Sequence, residues 1–205
     1  MRLSSCVALA ATPSLYPMTT PPLAAHHCVG LGRRSLQQLR TSLERDTGLQ
    51  AAAYLQEAGF AGGEQLFEAY SAWLAATYRV ERPGELDARH LSDVLSRFFA
   101  ESGWGHLTVH PLGPSVLALD STEWAEATEE GGAEYPSCHL SCGLLADFLG
   151  RMSDGMAAVM EVECRSRGDS RCRFLAGAPE TLSTIYDRMS QGMGYAEALG
   201  LDGAA

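Results

Sequence analysis

Val159-Met160-Glu161-Val162-Glu163-Cys164-Arg165-Ser166-Arg167-Gly168-Asp169-Ser170-Arg171-Cys172-Arg173-Phe174-Leu175 is the stretch on which the fold turns. Gly168-Asp169 is a turn signal between two runs of strand formers, which predicts an antiparallel hairpin over about 157–176. With the turn centred on Gly168, Cys164 and Cys172 are cross-strand neighbours, their Cβ atoms roughly 5 Å apart. Two thiols that close form a disulfide, an unligated pair in the core, or one edge of a metal site. A zinc ion takes four ligands from Cys, His and carboxylate side chains. Glu161 and Cys138 complete such a set. The spacing by itself leaves all three readings open.

Outward from the hairpin, Pro136-Ser137 precedes a helical run over about 138–150 with Leu140, Leu144, Leu145 and Phe148 as its apolar stripe. Further back, His106-Leu107-Thr108-Val109-His110 alternates polar and apolar. Pro111 to Pro114 is a turn, and Ser115 to Asp120 returns, a second hairpin. Acidic, glycine-rich sequence over 123–134 reads as a loop. Helices are expected from about residue 31 to Thr47-Gly48, over about 49–59 and 63–78, and from Leu86 to Ser102-Gly103. Pro179-Glu180 opens a last one. Two hairpins separated by helices argue an α+β fold with a four-stranded antiparallel sheet, not a parallel βαβ layout. The expected organisation is a tail over 1–30, a domain over 31–192 and a weak tail over 193–205. Met18 offers an alternative start, and Cys6 lies in a short apolar run that only vaguely resembles a signal peptide.

The 205 residues are 46 % apolar and carry a net charge of −10, which suits a soluble domain with a sizeable core. An acidic balance argues against non-specific nucleic-acid binding, which needs a basic face. No run approaches the ~20 apolar residues of a membrane span. Six cysteines are too dilute for a disulfide scaffold. A reducing, cytoplasmic setting is therefore the expectation, and there close cysteines favour metal over disulfide. The chain has no glycine-rich phosphate loop and no G-x-S-x-G elbow.

Cys142, one helical turn after Cys138, competes with Glu161 for the fourth ligand position. Glu161 and Cys164 have opposite strand parity, so both reach one ion only if the strand bulges between them. His139 diverges from Cys138 on a helix and is expected to be exposed. Three thiolates and a carboxylate leave zinc with excess negative charge, which the nearby Arg151, Arg165, Arg167, Arg171 and Arg173 could offset. A four-ligand site is closed, hence structural. Away from it, His106 and His110 share a strand face and could bind a polar ligand group. Trp104 and Trp124 flank the first hairpin, as core residues or as walls of a pocket.

Cys138-His139-Leu140-Ser141-Cys142-Gly143, Glu161-Val162-Glu163-Cys164 and Gly168-Asp169-Ser170-Arg171-Cys172-Arg173-Phe174 together resemble the 4-vinyl reductase domain family: a cysteine before a glycine-containing apolar helix, E-x-x-C, then a G-D-x-x-C-x-F hairpin. The likeness is specific over 138–176 and fits the chain's length over about 33–190. The family takes its name from a bacteriochlorophyll-pathway member. Many relatives are small-molecule-binding modules, including the sensor domains of phenol-responsive transcription activators. The fold it implies is that of the TRAPP vesicle-tethering subunits and the nitric-oxide sensors, a four-stranded antiparallel sheet packed with helices around an apolar cavity.

Carried onto this chain, the sensors' zinc ligands fall on Cys138, Glu161, Cys164 and Cys172. Their ligand-contacting tryptophan falls on Trp124, in Ser121-Thr122-Glu123-Trp124-Ala125-Glu126-Ala127, and their histidine on His106 or His110. The implied function is a zinc-stabilised, sensor-like module for a small apolar or aromatic molecule, reporting through a protein partner or a second copy. The rival readings are a tetrapyrrole-pathway reductase or carrier, and a structural interaction protein.

Overall fold

The computed structural model describes residues 20–128 and 132–201. Cys6 and Met18 lie outside them. The helices are α1 (Arg33–Thr47), α2 (Gln50–Tyr78), α3 (Ala88–Glu101), α4 (His139–Met152), α5 (Pro179–Ser190) and α6 (Tyr195–Ala198). The strands are β1 (Thr108–Pro111), β2 (Val116–Ser121), β3 (Ala158–Glu163) and β4 (Cys172–Gly177). They form one antiparallel sheet in the order β1-β2-β4-β3, so the two hairpins join where β2 pairs with β4. The fold is α+β, as expected from the alternation of hairpins and helices.

Period-two alternation sorts the sheet's side chains onto two faces. Leu119, Phe174, Ala176 and Cys172 point into a large core with α2, α3 and α4. Val116, Ala118, Val162 and Leu175 point the other way, onto Leu182 and Ile185 of α5 and Ala198 of α6. His106 lies just before β1. Residues outside 31–192 also pack: Leu23, in a short 3₁₀ turn, lies against the large core, and Tyr195 of α6 against the smaller one.

One helix replaces two. The expected break at Gly59, Gly62 and Gly63 is absent, and α2 runs 29 residues unbroken. The reason is tertiary. A Cβ on Gly59 would stand 1.9 Å from the carbonyl oxygen of Leu140, and one on Gly143 at 1.9 Å from that of Gln56. The two glycines let the α2 and α4 backbones touch. The contact outweighs the roughly 1 kcal/mol each glycine costs a helix interior. It also fixes α4, and with it Cys138.

Candidate metal centre and its surroundings

Cys138 is the N-cap of α4, where the chain turns from loop to helix. Glu161 sits on β3 facing the same core. The register of β3 against β4 slips between Glu161 and Glu163. This bulge is the one the parity of Glu161 and Cys164 required, and it returns Cys164 to the side of Glu161. The hairpin connection is wider than a two-residue turn. Arg165–Arg167 form a 3₁₀ turn, and Gly168 follows at φ 105°, a conformation that suits glycine. Asp169 then reaches back, its Oδ2 accepting from the Cys164 amide at 2.7 Å. The Gly-Asp pair thus fixes the backbone that presents Cys164. Cys172, opening β4, pairs in register with Ser121 of β2.

These elements bring Cys138, Glu161, Cys164 and Cys172 together, their ligand atoms all within 4.8 Å of one another and all four residues buried. Cys138 Sγ lies 3.8 Å from Cys164 Sγ and 3.9 Å from Cys172 Sγ. Sulfurs at ~2.3 Å from a tetrahedral zinc stand about 3.8 Å apart, so the spacing fits the ion and is far from a bond between sulfurs. Glu161 supplies a second test. Its Oε2 accepts from the Cys138 amide at 2.8 Å, while its buried Oε1 has no hydrogen-bond partner. An orphaned buried carboxylate oxygen is costly unless something cationic meets it. Burial, then the charge of Cys164, pushes Glu161 up to about 8. Hydrogen bonds from Cys138 and Cys172 pull Cys164 down, while Cys138 is raised, chiefly by its hydrogen bonds with Cys164 and Cys172. The donor set fits a zinc ion, and these four residues could hold a metal.

Cys142 is buried on α4 and is not one of the converging donors, nor is half-buried His139. Two of the arginines that could have offset the charge of the thiols do not face them. Arg171 and Arg173 point to the opposite face of the sheet, where Arg173 bonds Asp120 at 2.7 and 2.6 Å and Arg171 bonds Glu163 at 2.8 and 3.1 Å. Strand alternation, which puts Cys172 inward, puts its two neighbours outward.

Two residues around the centre escaped sequence reasoning. Arg40 is buried and donates to the Glu126 carbonyl and to Ser137 Oγ, each at 3.2 Å, and Ser137 Oγ in turn meets Cys164 Sγ at 3.8 Å. Its position four after Leu36, on the apolar stripe of α1, was the available signal. Glu126, in the stretch read as a loop, is 1 % exposed and accepts from the amides of Leu140 (3.1 Å) and Ser141 (2.7 Å) and from Ser141 Oγ (2.5 Å). Two carboxylates therefore cap α4, Glu161 on Cys138 and Glu126 on the next turn.

Burial, only partly offset by those donors, pushes Glu126 up to about 7 from an ordinary 4.5. Native protein then holds a proton that the unfolded chain releases. The contribution of Glu126 to stability is present below about pH 4.5 and is lost as pH rises through about 7. Glu126→Gln should remove this decline, so that its melting temperature gains on the parent's from pH 5 to pH 8. A difference that stays constant with pH would refute the assignment.

The residues suggested for ligand contact are not gathered in one place. Trp124 is buried, stacked on Trp104 at 5.5 Å, and its Nε1 donates to Ser141 Oγ at 2.7 Å. His106 is exposed and bonds Glu123 at 2.5 Å. His110 stands 3.9 Å from Asp120 on the other face of β1 from Val109, which packs on the core. Deeper in, the middle of the large core is a cluster of rings: Tyr70 meets Phe98 at 5.1 Å and Phe148 at 5.3 Å, both edge-on. The Tyr70 hydroxyl, at the centre, is fully buried and has no hydrogen-bond partner.

The bulged E-x-x-C strand, the G-D turn that seats Cys164 and the cysteine at the α4 N-cap carry the signature read from the sequence. Residues 121–178 match the 4-vinyl reductase domain. The matched segment starts at the end of β2 and contains the whole thiol cluster. No curated protein matches the chain. Among solved structures, the phenol-responsive sensory domain of the transcription activator PoxR, with phenol, superposes with a TM-score of 0.54 at 16 % identity, over 74 % of this chain and 77 % of that one. TRAPP complex subunit 3 from Naegleria fowleri, covalently bound to palmitic acid, gives 0.56 at 12 % identity, over 71 % and 91 %. A vinyl-4-reductase family protein from Methanocaldococcus jannaschii gives 0.43 at 21 % identity, over 60 % and 66 %. The first two share the fold in which the matched segment lies. No helix among the described residues is long and apolar enough to cross a membrane.

Proposed function

We propose that this protein is a small-molecule-binding, sensor-like module whose central hairpin is clamped to α4 by one zinc ion. The observation that carries the metal is the convergence of Cys138, Cys164 and Cys172 with a carboxylate oxygen of Glu161 that nothing else satisfies. Zinc supplies a closed structural joint: it ties the end of β3, the start of β4 and the N-terminus of α4 at one point.

The ligand reading rests on the 4-vinyl reductase match, on the shared fold of the PoxR sensory domain, and on Tyr70. An unpartnered buried hydroxyl costs about 1–3 kcal/mol. Burial also raises its pKa, so it stays a donor. Surrounded by rings, it suits an apolar or aromatic molecule with one hydrogen-bond acceptor, the usual mix of a ligand site. Trp124, Phe99 and Phe174 continue the ring cluster toward the thiols, with centroid distances of 5.7 Å. A ligand seated there would bear on both α4 and the zinc-clamped hairpin. The output then goes to a protein partner or a second copy.

Native mass spectrometry of the purified protein, followed by a thermal-shift screen of phenols and larger ring systems, tests both halves. One zinc per chain and at least one ligand that raises the melting temperature are expected, because a ligand bound only by the folded state stabilises it by mass action. Tyr70→Phe should melt at or above the parent without ligand, because it deletes an unsatisfied group, and should shift less with it. An unchanged ligand shift in Tyr70→Phe would remove the tyrosine from the site. A screen without any shift would sink the ligand reading and leave the zinc reading standing.

A further inference from the structure

In a chain of net charge −10, unpaired positive charge is scarce. The chain has no lysine, so all 15 of its permanent cations are arginines. Nine of the described arginines stand within 4.0 Å of a carboxylate. The described arginines outside such pairs are Arg33, Arg34, Arg79, Arg165 and Arg188, and Arg188 donates to the carbonyl of Ala198. Three of these five, Arg33, Arg34 and Arg165, line one pocket of about 670 Å³. Gln37 and Gln38 from the next turn of α1 add amide groups, and Thr128 stands on the opposite wall. The pocket is apart from the thiols and from the ring cluster.

The charges sit where folding alone disfavours them. Arg33 and Arg34 open α1, whose N-cap, Gly32, offers no side-chain acceptor and whose first turn holds no acid. Positive side chains there oppose the helix dipole at a cost of about 0.3–1 kcal/mol each. Glu123 is held below the usual carboxylate range chiefly by its hydrogen bonds from His106, with Arg33 the least of the causes, and it forms no ion pair with Arg33. Two hydrogen bonds tie the walls to neighbouring segments. Gln37 Nε2 bonds the Ala127 carbonyl at 3.3 Å, and the Thr128 amide bonds Ser166 Oγ, beside Arg165, at 2.9 Å.

We propose that this pocket binds a small phosphate-bearing anion. Guanidinium forks match phosphate oxygens in pairs, and three of them around one concavity supply the charge for a group with two or more negative charges. The volume suits a ligand of nucleotide size. Occupancy would offset the local charge at the start of α1 and reach the 3₁₀ turn that follows Cys164.

Isothermal titration of the full-length, as-purified protein with pyrophosphate and with ADP, with citrate as the carboxylate control, tests it. Both phosphates should bind, more weakly as salt rises, and citrate at least tenfold more weakly than pyrophosphate. Arg33→Ala, Arg34→Ala and Arg165→Ala should each weaken pyrophosphate by about tenfold, the worth of one charged hydrogen bond. Arg79→Ala and Arg188→Ala remove the same charge elsewhere and should leave affinity at the parent's value. Melting curves and zinc content confirm that each variant is folded. No binding of either phosphate, equal loss in Arg79→Ala, or citrate binding as tight as pyrophosphate each overturns the proposal.

Discussion

Gly143→Ala should abolish or nearly abolish folding. The added Cβ would lie 1.9 Å from the carbonyl oxygen of Gln56 and 2.8 Å from the Phe60 amide nitrogen. Both are backbone atoms of α2, which no rotamer change can move. Relief requires the helices to part, and that would open the seam where Leu55, Leu144 and Leu145 are buried. Overpacking a yielding core costs about 1–3 kcal/mol, and a backbone-to-backbone clash belongs above that range. Against a total stability of about 5–15 kcal/mol, the loss is decisive. Gly59→Ala should behave alike. Gly62→Ala is the control: its nearest neighbour would be Leu144 Cδ1 at 3.8 Å, an ordinary contact. Alanine is the better helix former by about 1 kcal/mol, so Gly62→Ala should hold or raise stability. Urea midpoints of the three variants decide the matter. A Gly143→Ala protein as stable as the parent would mean that the helices do not meet on their glycines.

The second large effect is at the thiols. Cys172→Ser should release the metal and lower the melting temperature by on the order of 10 °C, because in a closed site metal affinity is folding energy and each kcal/mol moves a chain of this size by about 2–4 °C. Chelator should bring the parent down toward the variant and leave the variant nearly unmoved. Glu161→Gln should weaken retention more than Cys142→Ser. A neutral amide is the poorer ligand, and Cys142 lies outside the cluster. Metal content by elemental analysis, beside melts with and without chelator, reads all of this. Full zinc retention in Glu161→Gln together with loss in Cys142→Ser would falsify the assignment of the fourth ligand.

The local chemistry of the hairpin was legible along the chain. Gly168-Asp169 marked the turn, spacing brought Cys164 and Cys172 together, and the resemblance to the 4-vinyl reductase domain added Cys138 and chose Glu161 over Cys142 for the set that converges. The parity of Glu161 and Cys164 even stated the condition, a bulge, that β3 meets. Alternation and helical period, both properties of neighbouring residues, gave the α+β class and the four antiparallel strands.

What the chain alone could not show depends on partners distant in sequence. Glycines at 59, 62 and 63 read as helix breakers because propensity is local. Only the passage of α4 over α2 makes two of them a contact surface, and that contact keeps the helix whole. Arg171 and Arg173, adjacent to a cysteine, could be read either as its counter-charges or as a solvated face. The sheet's second face, with Asp120 from β2, takes them instead. Trp124 and Glu126 sit in acidic loop sequence, yet both are buried, because the start of α4 supplies Ser141 Oγ to the indole and two amides to the carboxylate. Arg34 and Arg165 are 131 positions apart in the chain. The pocket they share with Arg33 exists only because α1 is laid beside the turn after Cys164. Short-range pattern located the strands and most of the helices, whereas the unbroken α2, burial and charge pairing were settled by which faces the tertiary structure pressed together.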